Sequence, residues 1–294
     1  MKTSLCAAAS LLRTLCFLIC FLPFVAQGAA PASRAPIKEV KLLTIGNSFA
    51  DNATAFLPMF AASRDKQLRL FRANLGGHSL AQHVGYLNAV EADSNDPKGY
   101  VYTSNDPATS DGRKFSLRMV LKGAKWDVVT IQQLSSLSYK PETYQPYANI
   151  LIDYIHQYAP QAKILIFQTW AYSDDYYPVL NVPGLDQQKM YRGLKAAYQQ
   201  LSSETGLPLI PVGDAFQKVR ALPQPIVITQ RGDRHANANG QYLAAAMFYE
   251  TLFHDNVTKV SFVPEGVQPG DAKVLRAIAH ETLAEAAHAP ASKH

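Results

Sequence analysis

Cysteine is almost absent from this sequence. All three cysteines, Cys6, Cys16 and Cys20, lie within the first 20 residues of a 294-residue chain. From position 21 onward no thiol is present. Disulfides, thiolate metal sites and a cysteine nucleophile are therefore excluded from the rest of the chain.

Clustered positive charge and common cofactor motifs are absent as well. The 28 Lys and Arg residues oppose 23 Asp and Glu residues and form no basic runs, so we expect no nucleic acid partner. The sequence has no glycine-rich phosphate loop and no His, Asp and Glu grouping with metal-ligand spacing. It therefore implies no cofactor and no metal.

The N-terminal apolar run is too short for a permanent membrane helix. Residues 15–25 are apolar, follow Arg13 and precede small residues, which is the pattern of a cleaved signal peptide. A lipid anchor on Cys20 is not expected, because Ile19 is larger than the residue that normally precedes a lipidated cysteine. We expect a signal peptide at 1–28, a flexible tail at 29–38, one domain at 39–290, and an exported protein, periplasmic or extracellular, without a stable membrane anchor.

Short apolar runs alternate with longer segments of helical period from residue 40 onward. This alternation predicts an α/β fold with a mainly parallel sheet covered by helices. Asp51 or Asn52 could cap the first helix, and Ser79 the next. The polar stretch 92–113 reads as an insertion or long loop. The predicted strands are 40–45, 68–75, 126–131, 163–167 and 207–210.

Polar side chains follow the predicted strands at the point where each one ends. In a parallel α/β sheet these positions meet at one rim, where ligands bind. Each cluster alone is equally typical of turns and helix caps. The clusters are Gly46-Asn47-Ser48, Gly76-Gly77-His78, Gln132-Gln133 and Gln168-Thr169-Trp170.

Ser48 is a candidate nucleophile, and a serine hydroxyl needs a neighbouring base to remove its proton. His235 is the best candidate for that base, because it lies in the loop 232–240 just before an apolar helix. His78 is the competitor, since it also follows a strand. The remaining late histidines fall in helical patterns that indicate surface or packing positions.

Several segments together resemble the SGNH (GDSL-like) hydrolase superfamily, and in particular a secreted, largely uncharacterised branch of it. This resemblance implies a three-layer α/β/α, flavodoxin-like fold and serine attack on an ester. It also implies Ser48 as nucleophile, His235 as base, and an oxyanion hole formed by the N–H groups of Ser48 and Gly77 with one side-chain amide. The segments are Gly46-Asn47-Ser48-Phe49, 74–80, 126–133, 168–172, the histidine before a late helix, and 240–245.

The sequence departs from the superfamily pattern at two positions. The usual Gly-x-Asn-Asp block is missing, so Gln132 or Gln133 must supply the amide, and we favour Gln133. The residue three before His235 is Gly232 instead of the usual aspartate. Asp233 is then the nearest acid, Asp214 is an alternative, and a Ser-His dyad remains open.

The loop after the fourth predicted strand is aromatic, and aromatic faces can stack on sugars. Core packing explains the same residues equally well. The sequence predicts an exported esterase that removes acetyl or similar acyl groups from a small-molecule or glycan ester. A glycan-binding protein without catalysis and an acyltransferase are the alternatives. The predicted substrate contacts are Asn47, His78, Gln132, Gln168, Trp170 and Tyr172, with Tyr176 and Tyr177 nearby.

Overall fold

A five-stranded parallel sheet forms the centre of this computed structural model, which describes residues 37–104, 111–173, 175–176 and 182–288. The strand order is β2-β1-β5-β6-β7, and every neighbouring pair is parallel. The chain winds outward in one direction through β2 and in the other through β5, so the winding reverses between β1 and β5. The strands are β1 Glu39–Gly46, β2 Gln67–Asn74, β5 Val128–Ile131, β6 Lys163–Phe167 and β7 Leu209–Ile210.

Helices pack in two groups around this sheet. Helices α1, α2, α7 and α9 all contact α8, whereas α3, α4 and α5 contact one another. The predicted flavodoxin-like α/β arrangement is confirmed. The helices are α1 Ser48–Ala53, α2 Leu57–Ala62, α3 Leu80–Ala92, α4 Leu117–Lys122, α5 Tyr147–Tyr158, α6 Gln187–Thr205, α7 Val212–Arg220, α8 Ala238–Phe253 and α9 Pro269–His288.

The central strands are buried on both faces. All four residues of β5 are buried, as are the last five of β1. Strands covered by helices on both sides read as continuous apolar runs, which is why β1 and β5 could be found from β-branched and aliphatic content. Helix α8 is also buried around most of its circumference and anchors the helices that pack on it.

The first helix begins earlier than predicted. Asn47, not Asp51 or Asn52, is its N-cap, and its side chain accepts a hydrogen bond from the backbone N–H of Phe49. Ser48 is therefore the first residue of α1. The predicted cap of α3 is correct: Ser79 and Gln82 form a reciprocal capping box.

The insertion 92–113 carries short regular elements where it is described. It contains a 3-10 turn at Pro97–Gly99 and the strand β3 (Tyr102–Thr103), which pairs antiparallel with β4 (Lys114–Phe115) just after the insertion. Residues 105–110, the predicted signal peptide and nearly all of the predicted tail lie outside the described residues. None of the described helices combines the length and apolar character needed to cross a bilayer.

Candidate active site

The segment that carries Ser48 joins the end of β1 directly to α1. Gly46 ends the strand, and a Cβ there would lie 2.7 Å from Oε1 of Gln132, so glycine is needed for this close approach. Ser48 is partly exposed, whereas Asn47 and Phe49 on either side of it are buried. Buried neighbours therefore fix the position of a reachable hydroxyl.

Asn47 connects three parts of the rim. Its Oδ1 accepts hydrogen bonds from Phe49 N and from Gln132 Nε2, and its Nδ2 donates to the carbonyl of His78. Asn47 and Gln132 are only 1% and 3% exposed. Their burial contradicts the prediction that these two residues contact substrate. The bonds of Asn47 hold β1, β5 and the 75–78 turn together, whereas Oε1 of Gln132 has no partner among the described residues.

Ser48, His235 and Asp233 form a continuous hydrogen-bonded chain. Ser48 Oγ lies 2.9 Å from His235 Nε2, and His235 Nδ1 lies 3.0 and 3.1 Å from the two carboxylate oxygens of Asp233. An ionised carboxylate only accepts, so Nδ1 carries the proton and Nε2 presents its lone pair to the serine hydroxyl. This is the tautomer a general base needs.

Asp233 is ionised near neutral pH. Burial alone would raise the pKa of Asp233, but hydrogen bonds from the His235 ring and from backbone N–H groups outweigh it and lower this pKa below its usual value. Asp214 interacts elsewhere: Lys195 Nζ lies 3.0 Å from its Oδ2, and Tyr191 donates to its Oδ1. Of the two acids considered, only Asp233 contacts His235.

The two predicted backbone donors, the N–H groups of Ser48 and Gly77, follow the neighbouring strands β1 and β2. Neither Ser48 N nor Gly77 N has a hydrogen-bond acceptor among the described residues. Gly77 is exposed and has a φ of +73°, a left-handed conformation that favours glycine. Both predicted backbone donors are therefore available in the same rim.

Gln133 does not provide the predicted third donor. Its Nε2 donates to the Thr143 carbonyl at 2.8 Å, and its Oε1 accepts from the N–H groups of Leu80 and Leu134. The residue is fully buried. Its amide joins the start of α3 to the segment before α5, which corrects the assignment.

The aromatic residues after β6 are internal. Trp170 is fully buried, stacked between Phe49 at 4.3 Å and Phe216 at 4.6 Å between ring centroids. Tyr172 is 2% exposed, and its hydroxyl bonds to Ser135. The prediction that Trp170 and Tyr172 contact substrate is wrong, because both complete the core.

Gln168 is also internal, since its Oε1 accepts from the backbone N–H of Asp214 in α7. It is therefore not a substrate contact. Tyr176 is partly buried, and its hydroxyl accepts from Arg234. Tyr177 lies outside the described residues.

A family profile described as "Domain of unknown function (DUF4886)" matches residues 41–282, which include Ser48, Gly77, Asp233 and His235. The chain belongs to the DUF4886 family. No curated protein matches it.

Solved structures that resemble this DUF4886 protein include the following two. A DUF4886 family protein from Bacteroides uniformis is 28% identical, with a TM-score of 0.70 over 83% of this chain and 95% of that one. A proposed SGNH hydrolase from Slackia heliotrinireducens is 22% identical, with a TM-score of 0.52 over 72% of this chain and 98% of that one. The second likeness concerns the fold alone, and this is the fold that the resemblance to the SGNH superfamily implied.

His83 is a residue of this DUF4886 protein whose role the sequence did not reveal. It is fully buried, with Nε2 2.9 Å from the Gly46 carbonyl and Nδ1 2.8 Å from the Tyr102 hydroxyl. Burial lowers the pKa of His83 to about 4, so the ring is neutral and supports the end of β1. Its place on the apolar side of the predicted helix was the available signal for burial.

Asn52 is a second such residue. Its Oδ1 accepts from the backbone N–H of Ala236, which joins α1 to the residue after His235.

No group of three or more His, Asp or Glu among the described residues is arranged to hold a metal.

Proposed function

We propose that this protein is an SGNH-type serine esterase, with Ser48 as nucleophile, His235 as general base and Asp233 as the acid that orients it. The observation that carries the proposal is the hydrogen-bonded chain from Ser48 Oγ through His235 to Asp233, with distances of 2.9 and 3.0 Å. Ser48 and His235 are separated by 187 residues, so this contact depends on the tertiary fold.

The proposed reaction has two steps. Ser48 Oγ attacks the ester carbonyl carbon while its proton passes to His235 Nε2, and Asp233 stabilises the resulting imidazolium. His235 then gives this proton to the departing alcohol, which leaves the acyl group on Ser48. A water molecule, deprotonated by His235, then attacks the acyl-enzyme carbonyl. The bond between the acyl carbon and Ser48 Oγ breaks, His235 returns the proton to Oγ, and the carboxylic acid is released.

The negative charge on the tetrahedral oxygen needs donors that are already in place. The N–H groups of Ser48 and Gly77 have no other acceptor among the described residues, so they can bind this oxygen without first breaking a bond. Preorganised donors of this kind are each worth about 10²- to 10³-fold in kcat. This site has two backbone donors and no side-chain amide donor. We therefore expect a lower kcat than in SGNH hydrolases that have the Gly-x-Asn-Asp block.

The proposed substrate is a carbohydrate ester. We propose deacylation, such as deacetylation, of a glycan on the basis of predicted export alone, because Trp170 and Tyr172 form no exposed platform. The non-catalytic glycan-binding alternative draws on Gly232 at the usual acid position and on the missing asparagine. The contact of Asp233 with His235 counts against the first argument, whereas the second still stands, because Gln133 is bonded elsewhere. Acyl transfer would use the same residues, and product analysis with an added sugar acceptor distinguishes it from hydrolysis.

Hydrolysis of nitrophenyl acetate and butyrate tests the proposal. We expect Ser48→Ala to lower kcat by about 10³-fold or more, because the nucleophile is removed. Ser203→Ala is the matched control, since Ser203 is an exposed serine of α6. A Ser48→Ala protein that hydrolyses these esters at the parent rate would contradict the proposal.

A further inference from the structure

The proposed donor Gly77 lies in a tight turn formed by residues 75–78. The N–H of His78 donates to the carbonyl of Leu75 at 3.0 Å, and Gly77, the third residue, has a φ of +73° whereas Gly76 is not in the positive-φ region. These features define a type II turn. Its central peptide joins the carbonyl of Gly76 to the N–H of Gly77.

The side chain of His78 fixes the orientation of that peptide. His78 Nδ1 lies 2.9 Å from the Gly76 carbonyl oxygen. A trans peptide is planar and its C=O and N–H point in opposite directions. Holding the Gly76 carbonyl toward the His78 ring therefore directs the Gly77 N–H to the other side, away from that ring.

The partners of the ring also determine its tautomer. A carbonyl oxygen only accepts, so Nδ1 of His78 must carry a proton. Nε2 lies 2.8 Å from the Tyr86 hydroxyl, which donates to it when the ring is neutral. The carbonyl of His78 accepts from Asn47 Nδ2 at 3.0 Å. Both ring nitrogens and the backbone of His78 are thus engaged by the protein, which leaves His78 no free nitrogen to serve as the base for Ser48.

We propose that His78 is a positioning residue that aims the Gly77 N–H into the oxyanion hole, with Tyr86 holding the ring in place. This inference rests on the proposed esterase function. It assigns to His78 a role other than the substrate contact or competing base that the sequence suggested. Without the His78 donor, the Gly76–Gly77 peptide is free to rotate, and the donor is correctly aimed only part of the time.

Two substitutions separate the hydrogen bond from the bulk of the ring. Asparagine places an amide nitrogen as many bonds from Cα as Nδ1 of histidine, whereas glutamine places it where Nε2 lies. His78→Asn therefore keeps the donor to Gly76, and His78→Gln keeps only the contact with Tyr86. His156→Ala is the matched control, because His156 is an exposed histidine on α5.

The test measures kcat and KM for nitrophenyl acetate in all variants, beside the parent and Ser48→Ala. We expect His78→Ala and His78→Gln to lower kcat by about 10- to 100-fold, less than the full loss of an oxyanion donor. KM should change little, because the donor acts on charge that develops after binding. His78→Asn and His156→Ala should stay within about threefold of the parent kcat, on the same reasoning. The rate at which a phosphonate modifies Ser48 should follow the same order.

The outcomes separate the two proposals. A parent protein without Ser48-dependent turnover overturns the esterase proposal and this inference with it. An active parent whose kcat survives in His78→Ala and His78→Gln overturns only the inference. The inference also fails if His78→Asn loses as much kcat as His78→Gln, because the ring and not the Nδ1 donor would then matter. If His78→Ala does not fold, the Asn and Gln pair decides.

Discussion

The two sides of the candidate active site are built differently. Ser48 is the first residue of α1 and follows the end of β1 by two positions. Its neighbours Gly46, Asn47 and Phe49 are buried. His235 lies in a loop whose residues 231–235 are exposed or half-buried and whose only ladder contact among the described residues is a Thr229–Ala236 bridge. The nucleophile is thus placed by regular structure next to it, and the base by contacts from distant parts of the chain.

Three long-range hydrogen bonds hold the backbone of the histidine loop. Trp170 Nε1 donates to the carbonyl of Arg234 at 3.1 Å, Asn52 Oδ1 accepts from Ala236 N at 3.0 Å, and Asp175 Oδ2 accepts from Gly232 N at 2.8 Å. The ring of Phe49, beside Ser48, also packs on Trp170 and His235. We infer that the loop side is where substitutions alter the alignment of the base with least effect on the sheet.

The largest effect is expected from Asp233→Asn. An amide can present its N–H to His235 and favour the wrong tautomer, so we expect kcat to fall by about 10²- to 10⁴-fold. Asp214→Asn is the matched control, because Asp214 pairs with Lys195 and not with His235. Steady-state hydrolysis of nitrophenyl acetate measures both. An unchanged rate in Asp233→Asn would show that the acid is not used.

A smaller effect is expected on the nucleophile side, where protonation of His83 should make the free energy of unfolding depend on pH. Its pKa of about 4 in the folded protein lies below the value of about 6.5 in an unfolded chain. Between these values the unfolded chain binds a proton that the folded protein does not, so the free energy of unfolding decreases as pH falls, by up to about 3 kcal/mol.

His83→Gln tests this prediction, because glutamine can keep a donor to the Gly46 carbonyl without titrating. Urea unfolding at pH 7.0 and pH 4.5 should show a loss of stability that is smaller in the variant, by about 2–3 kcal/mol. Equal losses in parent and variant would mean that His83 does not titrate in this window.

Asn52→Ala should produce a modest effect that links the two sides. Removing the acceptor for Ala236 N costs a hydrogen bond worth about 1 kcal/mol and loosens the loop beside His235. We expect kcat to fall by about fivefold, the rate equivalent of that free energy. Asn149→Ala, an exposed position on α5, is the control. A kcat equal to that of the control would show that Asn52 does not help to position His235.

The smallest effect is expected from Asp175→Ala. Its bond to Gly232 N is solvent-exposed, so water can replace the carboxylate, and kcat should change by about twofold or less. The same kinetic assay is the measurement. A decrease of tenfold or more would show that the exposed end of the loop, and not the Trp170 and Asn52 contacts, controls the base.

The contrast between regular structure and long-range contacts also explains which features could be predicted from the sequence. Residues 40–45 and 163–167 were found as strands because buried parallel strands read as apolar runs, and the structure has them at Glu39–Gly46 and Lys163–Phe167. The start of α1 was misplaced because Asn47, Asp51 and Asn52 are all suitable caps, and only the end of β1 decides between them.

The residues whose roles were predicted wrongly are those whose surroundings depend on tertiary contacts. Trp170 and Tyr172 look like a sugar platform in sequence, but their burial comes from rings that lie far along the chain, such as Phe49 and Phe216. Gln132 and Gln133 are successive residues with different partners, Asn47 and Thr143. No local pattern identified those partners, so neither glutamine could be excluded from the oxyanion hole.

Covalent labelling with a fluorophosphonate, mapped by mass spectrometry, tests whether His235 activates Ser48 as the nucleophile. We expect a single adduct on Ser48, absent in Ser48→Ala and formed at least about 10²-fold more slowly in His235→Ala, the scale of general-base assistance. An adduct on a different serine, no adduct, or labelling of Ser48 at the parent rate in His235→Ala would contradict this expectation.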